Sequence, residues 1–209
     1  NLAMSLDGYV AGPDQSVDNG LGVGGEQLHE WIFTTRGWRR MIGQEGGDEG
    51  VNDEFFARGN EGIGATIMGR NMFGPIRGDW GDTEWRGWWG DEPPYHHAVF
   101  VLTHHPHAPI PMEGGTTFHF VTEGIEAALE QAVDAAGGAD VRLGGGASVV
   151  QQYLRAGLID DLHVAIAPVL LGGGARLFDN LGGTTHGYEV VEFVTSPSVA
   201  HVRLAPARG

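Results

Sequence analysis

Asp140-Val141-Arg142-Leu143-Gly144-Gly145-Gly146-Ala147-Ser148-Val149-Val150 carries an apolar strand into three glycines and straight on into a helix. Glycine lets backbone N–H groups approach an anion closely, and the amino end of the following helix adds partial positive charge. Strand, glycine turn and helix therefore read as a pyrophosphate cradle, with a turn chosen for tight packing as the alternative. A second cluster, Gly20-Leu21-Gly22-Val23-Gly24-Gly25, meets the G-x-G-x-x-G spacing. Residues 13–19 before it read as loop, so this cluster lacks the strand that a dinucleotide fingerprint needs.

On either side of the triplet, period-2 apolar runs predict strands at residues 2–4, 65–68, 98–103, 117–121, 141–144, 162–170, 188–195 and 199–204. Apolar residues at helical spacing predict a helix over 123–136, with Thr122 as N-cap and Gly137 just past its end. A second helix spans 147–156 and stops at Gly157. Two more are expected at 26–42 and at 52–58, the latter with Asn52 as N-cap. Strand–helix alternation implies crossover units and a parallel sheet, whereas two successive strands at the end imply an antiparallel hairpin. The expected fold is α/β: one domain over 1–209, with an insertion at about residues 13–50 and flanking helices around a mostly parallel central sheet of about eight strands.

The chain has 209 residues and no cysteine, which excludes disulfides, thiolate nucleophiles and cysteine-bound metals. All 12 basic residues are arginine, so Schiff-base and Walker-type lysine chemistry is excluded as well. A formal net charge of −15 argues against nucleic acid or an anionic membrane as partner. No apolar run approaches the roughly 18 residues that span a bilayer. Nothing reads as a signal peptide, so a cytoplasmic location is the default expectation.

Met4-Ser5-Leu6-Asp7-Gly8-Tyr9-Val10-Ala11, Met68-Gly69-Arg70, Val101-Leu102-Thr103 and the glycine triplet follow one another in an order that resembles the dihydrofolate reductase superfamily. Gly157-Leu158-Ile159-Asp160-Asp161-Leu162-His163, and then Pro168-Val169-Leu170-Leu171-Gly172-Gly173-Gly174, are similar to one branch of it. That branch is the riboflavin-biosynthesis reductase, the C-terminal domain of the bifunctional deaminase–reductase. The resemblance implies NAD(P)H-dependent hydride transfer to a small heterocycle, either a riboflavin-pathway aminopyrimidine or a pterin-like compound. A catalytically inactive nucleotide-binding homologue is the alternative.

Site roles follow from the same resemblance. Ala3 is expected to bind the nicotinamide carboxamide through its backbone. Arg70, Asn71 and Met72 are expected beside the cofactor phosphates, and Thr103 and His104 at the adenosine ribose or its 2′-phosphate. Gly144, Gly145, Gly146, Ala147, Ser148 and Val149 are expected to hold the pyrophosphate, with a cis peptide inside the glycine pair. The family usually has Arg or Lys after the third strand, and this chain has His104-His105. NADPH is the expected cofactor, with NADH admitted.

Asp53 stands 15 positions before Met68, the spacing of the family's acidic residue, and beside Phe55 and Phe56. Desolvation there would raise its pKa, as a neutral-pH proton donor requires. A first-turn carboxylate favoured by the helix dipole is the competing explanation. Glu54 and Glu30 are further candidates. Arg36, Arg39, Arg40, Arg77 and Arg86 suggest no phosphate clamp for a pathway substrate. No metal is expected: His96-His97 and His104-His105 are adjacent pairs that point to opposite faces of a strand. Trp80, Trp85, Trp88 and Trp89 are expected to cover a core or an interface. The resemblance also implies a homodimer, through an edge strand or the tryptophan segment.

Overall fold

A computed structural model describes residues 1–74, 78–81, 84–182 and 187–207. The chain divides into two compact units. The first comprises Asn1–Gln15, Leu21–Glu61 and Gln151–Gly209, and the second Ser16–Gly20 and Gly62–Val150.

In chain order the strands are β1 (Leu2–Ser5), β2 (Tyr9–Ala11), β3 (Ile63–Gly69), β4 (Ala98–Leu102), β5 (Ile110–Pro111) and β6 (Thr117–Val121). They continue with β7 (Asp140–Gly145), β8 (Leu162–Ala167), β9 (Ala175–Arg176), β10 (Tyr188–Thr195) and β11 (Ala200–Pro206). The helices are α1 (Glu30–Phe33), α2 (Arg36–Met41), α3 (Val51–Arg58), α4 (Arg70–Phe73), α5 (Ile125–Ala136) and α6 (Ala147–Ala156).

The second unit is built on a sheet of order β5-β6-β4-β3-β7, in which β6, β4, β3 and β7 run parallel and β5 is antiparallel. Covered on both faces, its central strands read as continuous apolar runs: β3 is buried from Ala65 to Gly69. Val99, Val101, Met68 and Phe118 pack with Phe73, Trp80, Tyr95 and Met112 in one buried cluster. The helix α5 turns Ile125, Ala128 and Ala132 inward and ends on Gly137 in the left-handed conformation, as its sequence predicts.

The first unit holds a sheet of order β1-β8-β11-β10 and a β2-β9 ribbon. Within the sheet β1 and β8 are parallel, and β11 is antiparallel to both of its neighbours. Leu28, Ala3 and Ala167 form one small core, and Trp31, Ala165 and Val199 another.

The strands thus belong to two sheets and a ribbon, not to one sheet of about eight. The strand β7 slips register twice against β3, at Ile63/Ala65 and Ile67/Met68, a distortion of the kind that ends a ladder. The expected helix over 26–42 is broken into a 3-10 turn at Gly25–His29, then α1 and α2. Thr35 is extended there, and its hydroxyl accepts from Trp38 N at 3.2 Å to cap α2. Two predicted caps also differ. Gly124 at φ 99 precedes α5 in place of Thr122, whose amide donates to Glu123 Oε2 at 2.9 Å. Gly50 precedes α3 in place of Asn52, whose side chain reaches across the unit to Ser198 and His201.

Candidate functional site

In the second unit β3, β4 and β7 are neighbours and parallel, so their carboxyl ends lie side by side. In open α/β sheets this edge is where ligands bind. It brings Arg70, Asn71 and Met72 after β3, and Thr103 and His104 after β4, to the end of the unit where Gly144, Gly145 and Gly146 lead from β7 into α6.

Of the glycines there, Gly69 meets a spatial demand, whereas Gly146 would make ordinary contact. A Cβ on Gly69 would lie 2.9 Å from Val149 Cγ2, and one on Gly146 would lie 3.7 Å from Gly69 Cα. The turns after β3 and β7 therefore approach through bare backbone. Gly145 and Gly146 have φ 134 and φ 74, values that L side chains rarely adopt. Gly144 sits at the register slip, where a Cβ would meet Met72 Cε and Thr66 Cγ2, each at 3.4 Å. Gly146 O accepts from Val149 N at 3.0 Å and Val150 N at 3.1 Å, which closes the first turn of α6. The cradle thus combines a helix amino end with backbone uncovered by side chains, the two features that favour a phosphate. The family's cis peptide is not present: among the described residues every peptide bond is trans, and the left-handed glycines carry the chain around the turn.

Each flank has its own geometry. Arg70 lies with Cζ 3.8 Å from the Trp80 ring centroid and donates Nη1 to Gly78 O. Asn71 is exposed and Met72 half-buried. Buried Thr103 uses its hydroxyl locally, accepting from His105 N at 3.1 Å. His104 is exposed.

Ala3 and Asp53 both lie in the first unit. Ala3 is buried in β1, paired with Ala165. Asp53 Oδ1 accepts from Gly37 N at 2.7 Å, so the carboxylate caps the first turn of α2. Arg36 pairs with Glu49, and Arg86 with Asp91 at 3.7 Å. Arg77 lies outside the described residues.

The second glycine cluster serves packing. Gly12 N donates to Leu21 O at 2.8 Å and Val23 N to Pro13 O at 2.8 Å, so the loop closes back on β2. A Cβ on Gly22 would strike Gly12 O at 2.2 Å. The histidine doublet also separates. His96 Nδ1 meets Gly114 O at 2.8 Å, and His97 Nε2 meets Thr66 Oγ1 at 2.8 Å. Burial, with Arg142 and His96 nearby, holds His97 down at about 4. The tryptophans cover the core: Trp85 Nε1 donates to Phe73 O at 2.9 Å, and Trp89 stacks on Phe118 with centroids 5.8 Å apart.

Sequence reasoning left two groups without a role. One is Asp7, whose carboxylate accepts from Ser5 Oγ at 2.6 Å, Gly172 N at 2.7 Å and Leu171 N at 3.1 Å. The Ser5 hydroxyl, and then those two amides, bring it down to about 2 despite an opposing desolvation effect. The other is the buried pair His163–His201. For Asp7 the signal was present in its acid–glycine turn; for the histidines it was not, because strands 38 residues apart bring them together.

A dihydrofolate-reductase-like α/β fold emerges from comparison with solved structures. A proposed riboflavin biosynthesis protein from Shewanella sp. PV-4 aligns with TM-score 0.60 at 22% identity, over 99% of this chain and 97% of that one. A diaminohydroxyphosphoribosylaminopyrimidine deaminase/5-amino-6-(5-phosphoribosylamino)uracil reductase from Thermotoga maritima aligns with TM-score 0.56 at 14% identity. That match covers 99% of this chain but 55% of the Thermotoga one, so this chain spans about half its length. Dihydrofolate reductase from Enterococcus faecalis, complexed with NADP(H) and RAB-propyl, aligns with TM-score 0.50 at 14% identity, covering 99% and 94%. At such identities these likenesses show the fold. Among curated proteins there is no significant match. The model of the RibD C-terminal domain matches residues 1–201, and the chain belongs to that family.

Proposed function

We propose that the protein is an NADPH-dependent reductase that transfers a hydride to a small heterocyclic substrate, aminopyrimidine-like or pterin-like. The observation that carries this reading is the cradle formed by Gly69, Gly144, Gly145, Gly146 and the amino end of α6, in a chain of a reductase family. The residues present fit a dinucleotide: the turns are bare where phosphate oxygens would approach, and Arg70 and Thr103 flank them.

When bound, the reduced nicotinamide supplies the hydride. The chain's part is to hold, orient and protonate. Backbone at Gly145, Gly146, Ala147, Ser148 and Val149 receives the pyrophosphate, and Arg70, Asn71 and Met72 line its approach. Thr103 and His104 face the adenosine end, and the Ala3 backbone holds the carboxamide. Asp53 delivers the proton from Oδ2, since Oδ1 is engaged by Gly37. The proposed oligomer is a homodimer.

Titration of NADPH and NADH by nicotinamide fluorescence tests the reading, followed by cofactor oxidation with the riboflavin-pathway pyrimidine and dihydrofolate. Saturable NADPH binding with turnover supports it. Binding without turnover on either substrate favours the inactive homologue. Absence of binding by both cofactors defeats it.

A further inference from the structure

Three consecutive residues of the second unit, Gly78, Asp79 and Trp80, tie the segment after β3 to the segment after β4. Gly78 O accepts from Arg70 Nη1, and Asp79 Oδ1 stands 2.6 Å from His105 Nδ1. Trp80 holds both sides at once. Its indole Nε1 donates to His105 O at 2.8 Å, while the face of its ring lies under the Arg70 guanidinium, 3.8 Å from Cζ to the centroid. The ring itself is fixed: it is 9% exposed and stands edge-on to Phe120 and Phe73, with centroids 4.9 Å and 6.0 Å away. From His105 the connection runs on to Thr103, whose hydroxyl accepts the His105 amide. A single buried indole therefore links Arg70 and Thr103, which the proposed cofactor site takes from different loops.

We infer that Trp80 is a positioning residue for dinucleotide binding, acting through Arg70; the inference rests on the reductase reading above. An arginine side chain that must be ordered on binding weakens the complex, whereas one stacked beforehand does not. A guanidinium held over an indole face by a cation–π contact has its position set before the ligand arrives, which a phosphate-binding arginine exploits. The tryptophan-rich segment thus supports the phosphate side of the site as well as covering a core.

The test is a double-mutant cycle on NADPH affinity, read by fluorescence titration of the whole chain, with Trp80→Leu, Arg70→Ala and both together. Trp80→Leu is expected to weaken NADPH by roughly five- to thirty-fold, the range of a partly desolvated cation–π contact. The double variant is expected to bind within about two-fold of Arg70→Ala alone, because the tryptophan acts through the arginine. Losses that multiply in the double variant, or an unchanged Trp80→Leu, overturn the inference. Should Trp80→Leu fail to fold by thermal melting, Trp80→Phe keeps a smaller aromatic face and removes the indole N–H. The same cycle then applies, with a smaller loss. A wild-type protein that binds neither NADPH nor NADH defeats the reductase reading itself, an outcome distinct from wild-type binding that ignores Trp80.

Discussion

His163 Nε2 lies 3.0 Å from His201 Nδ1, so two imidazoles from adjacent strands β8 and β11 meet inside the first unit. Their outer nitrogens reach side-chain amides, His163 Nδ1 to Asn1 at 3.1 Å and His201 Nε2 to Asn52 at 3.0 Å. Phe55 stacks on His201 with centroids 4.1 Å apart, and Trp31 meets the same ring edge-on at 4.9 Å. Both histidines are buried. Burial, then His201 and Arg58, hold His163 at about 3, with Asp161 opposing. Burial and then Arg58 hold His201 at about 4, with Glu192 opposing. The unfolded chain binds these protons near 6.5, the folded chain only at the lower values. Stability from the pair is therefore fully present above pH 6.5 and is lost as pH falls from there toward about 4 for His201 and about 3 for His163. Melting temperature is expected to drop through that window, with the drop flattened in a His163→Gln/His201→Gln double variant. Asp7, held at about 2, loses its contribution only at lower pH, between 3.8 and about 2. An equally steep drop in the double variant would remove the histidines as its source.

At Gly146 the expected cost is double. Its φ of 74 penalises any side chain by about 1–2 kcal/mol, and the added methyl would sit over Gly69. Gly146→Ala is expected to lower stability by that amount and to weaken NADPH by roughly tenfold or more, the loss of a hydrogen bond or two to the anion. Gly124→Ala provides the control: Gly124 has φ 99 and starts α5, away from the cradle. The control should lose stability and keep affinity. Equal affinity losses in both would mean that the cradle has no special place in binding.

The two explanations for Asp53 part at the amide. Asp53→Asn retains an oxygen for Gly37 N, so helix capping survives, whereas Asp53→Ala removes the cap at about 0.5–2 kcal/mol. A proton donor lost to Asn is expected to lower turnover by roughly 10²–10⁴-fold with the melting temperature nearly unchanged. If Asp53→Asn turns over at the wild-type rate once a substrate is in hand, the carboxylate is a cap and the acid must be sought elsewhere, first at Glu54 or Glu30.

Local order determined how far the sequence could be read. The strand at Thr117–Val121 and the helix at Ala147–Ala156 coincide with their sequence expectations, because period and stop signals agree there. The same holds for the succession of strand, glycines and helix from Asp140 to Ala156, which is contiguous. Failures cluster where distant groups intervene. Thr35 ends a helix that apolar periodicity alone would continue, and Asn52 leaves its capping position for His201, 149 residues away. Two-residue strands such as Ala175–Arg176 carry no period to detect. Trp80 was legible as a buried aromatic, but its hold on Arg70 follows no spacing rule that the sequence displays.

The strand β10 lies at the edge of the first unit's main sheet and shows Val190, Val191 and Phe193 at 61%, 49% and 62% exposure. An edge with unpaired backbone groups and apolar side chains is a template for another strand, and soluble proteins usually blunt it with charge. Here Glu192 is turned to Arg58, at 3.0 Å, and so leaves the apolar residues unguarded. A second copy brought up by a two-fold axis would pair β10 with itself, antiparallel, and bury those side chains in both copies. The proposed homodimer therefore uses this edge. Wild-type protein is expected to sediment as a dimer and Phe193→Lys as a folded monomer whose melting temperature no longer depends on concentration. Since the chain carries a net charge of −15, a lysine there reduces the overall repulsion between copies. Any dissociation it causes must come from the interface itself, through lost apolar contact and the cost of burying the new charge. A wild-type monomer removes the dimer altogether, and a Phe193→Lys dimer moves the interface away from β10.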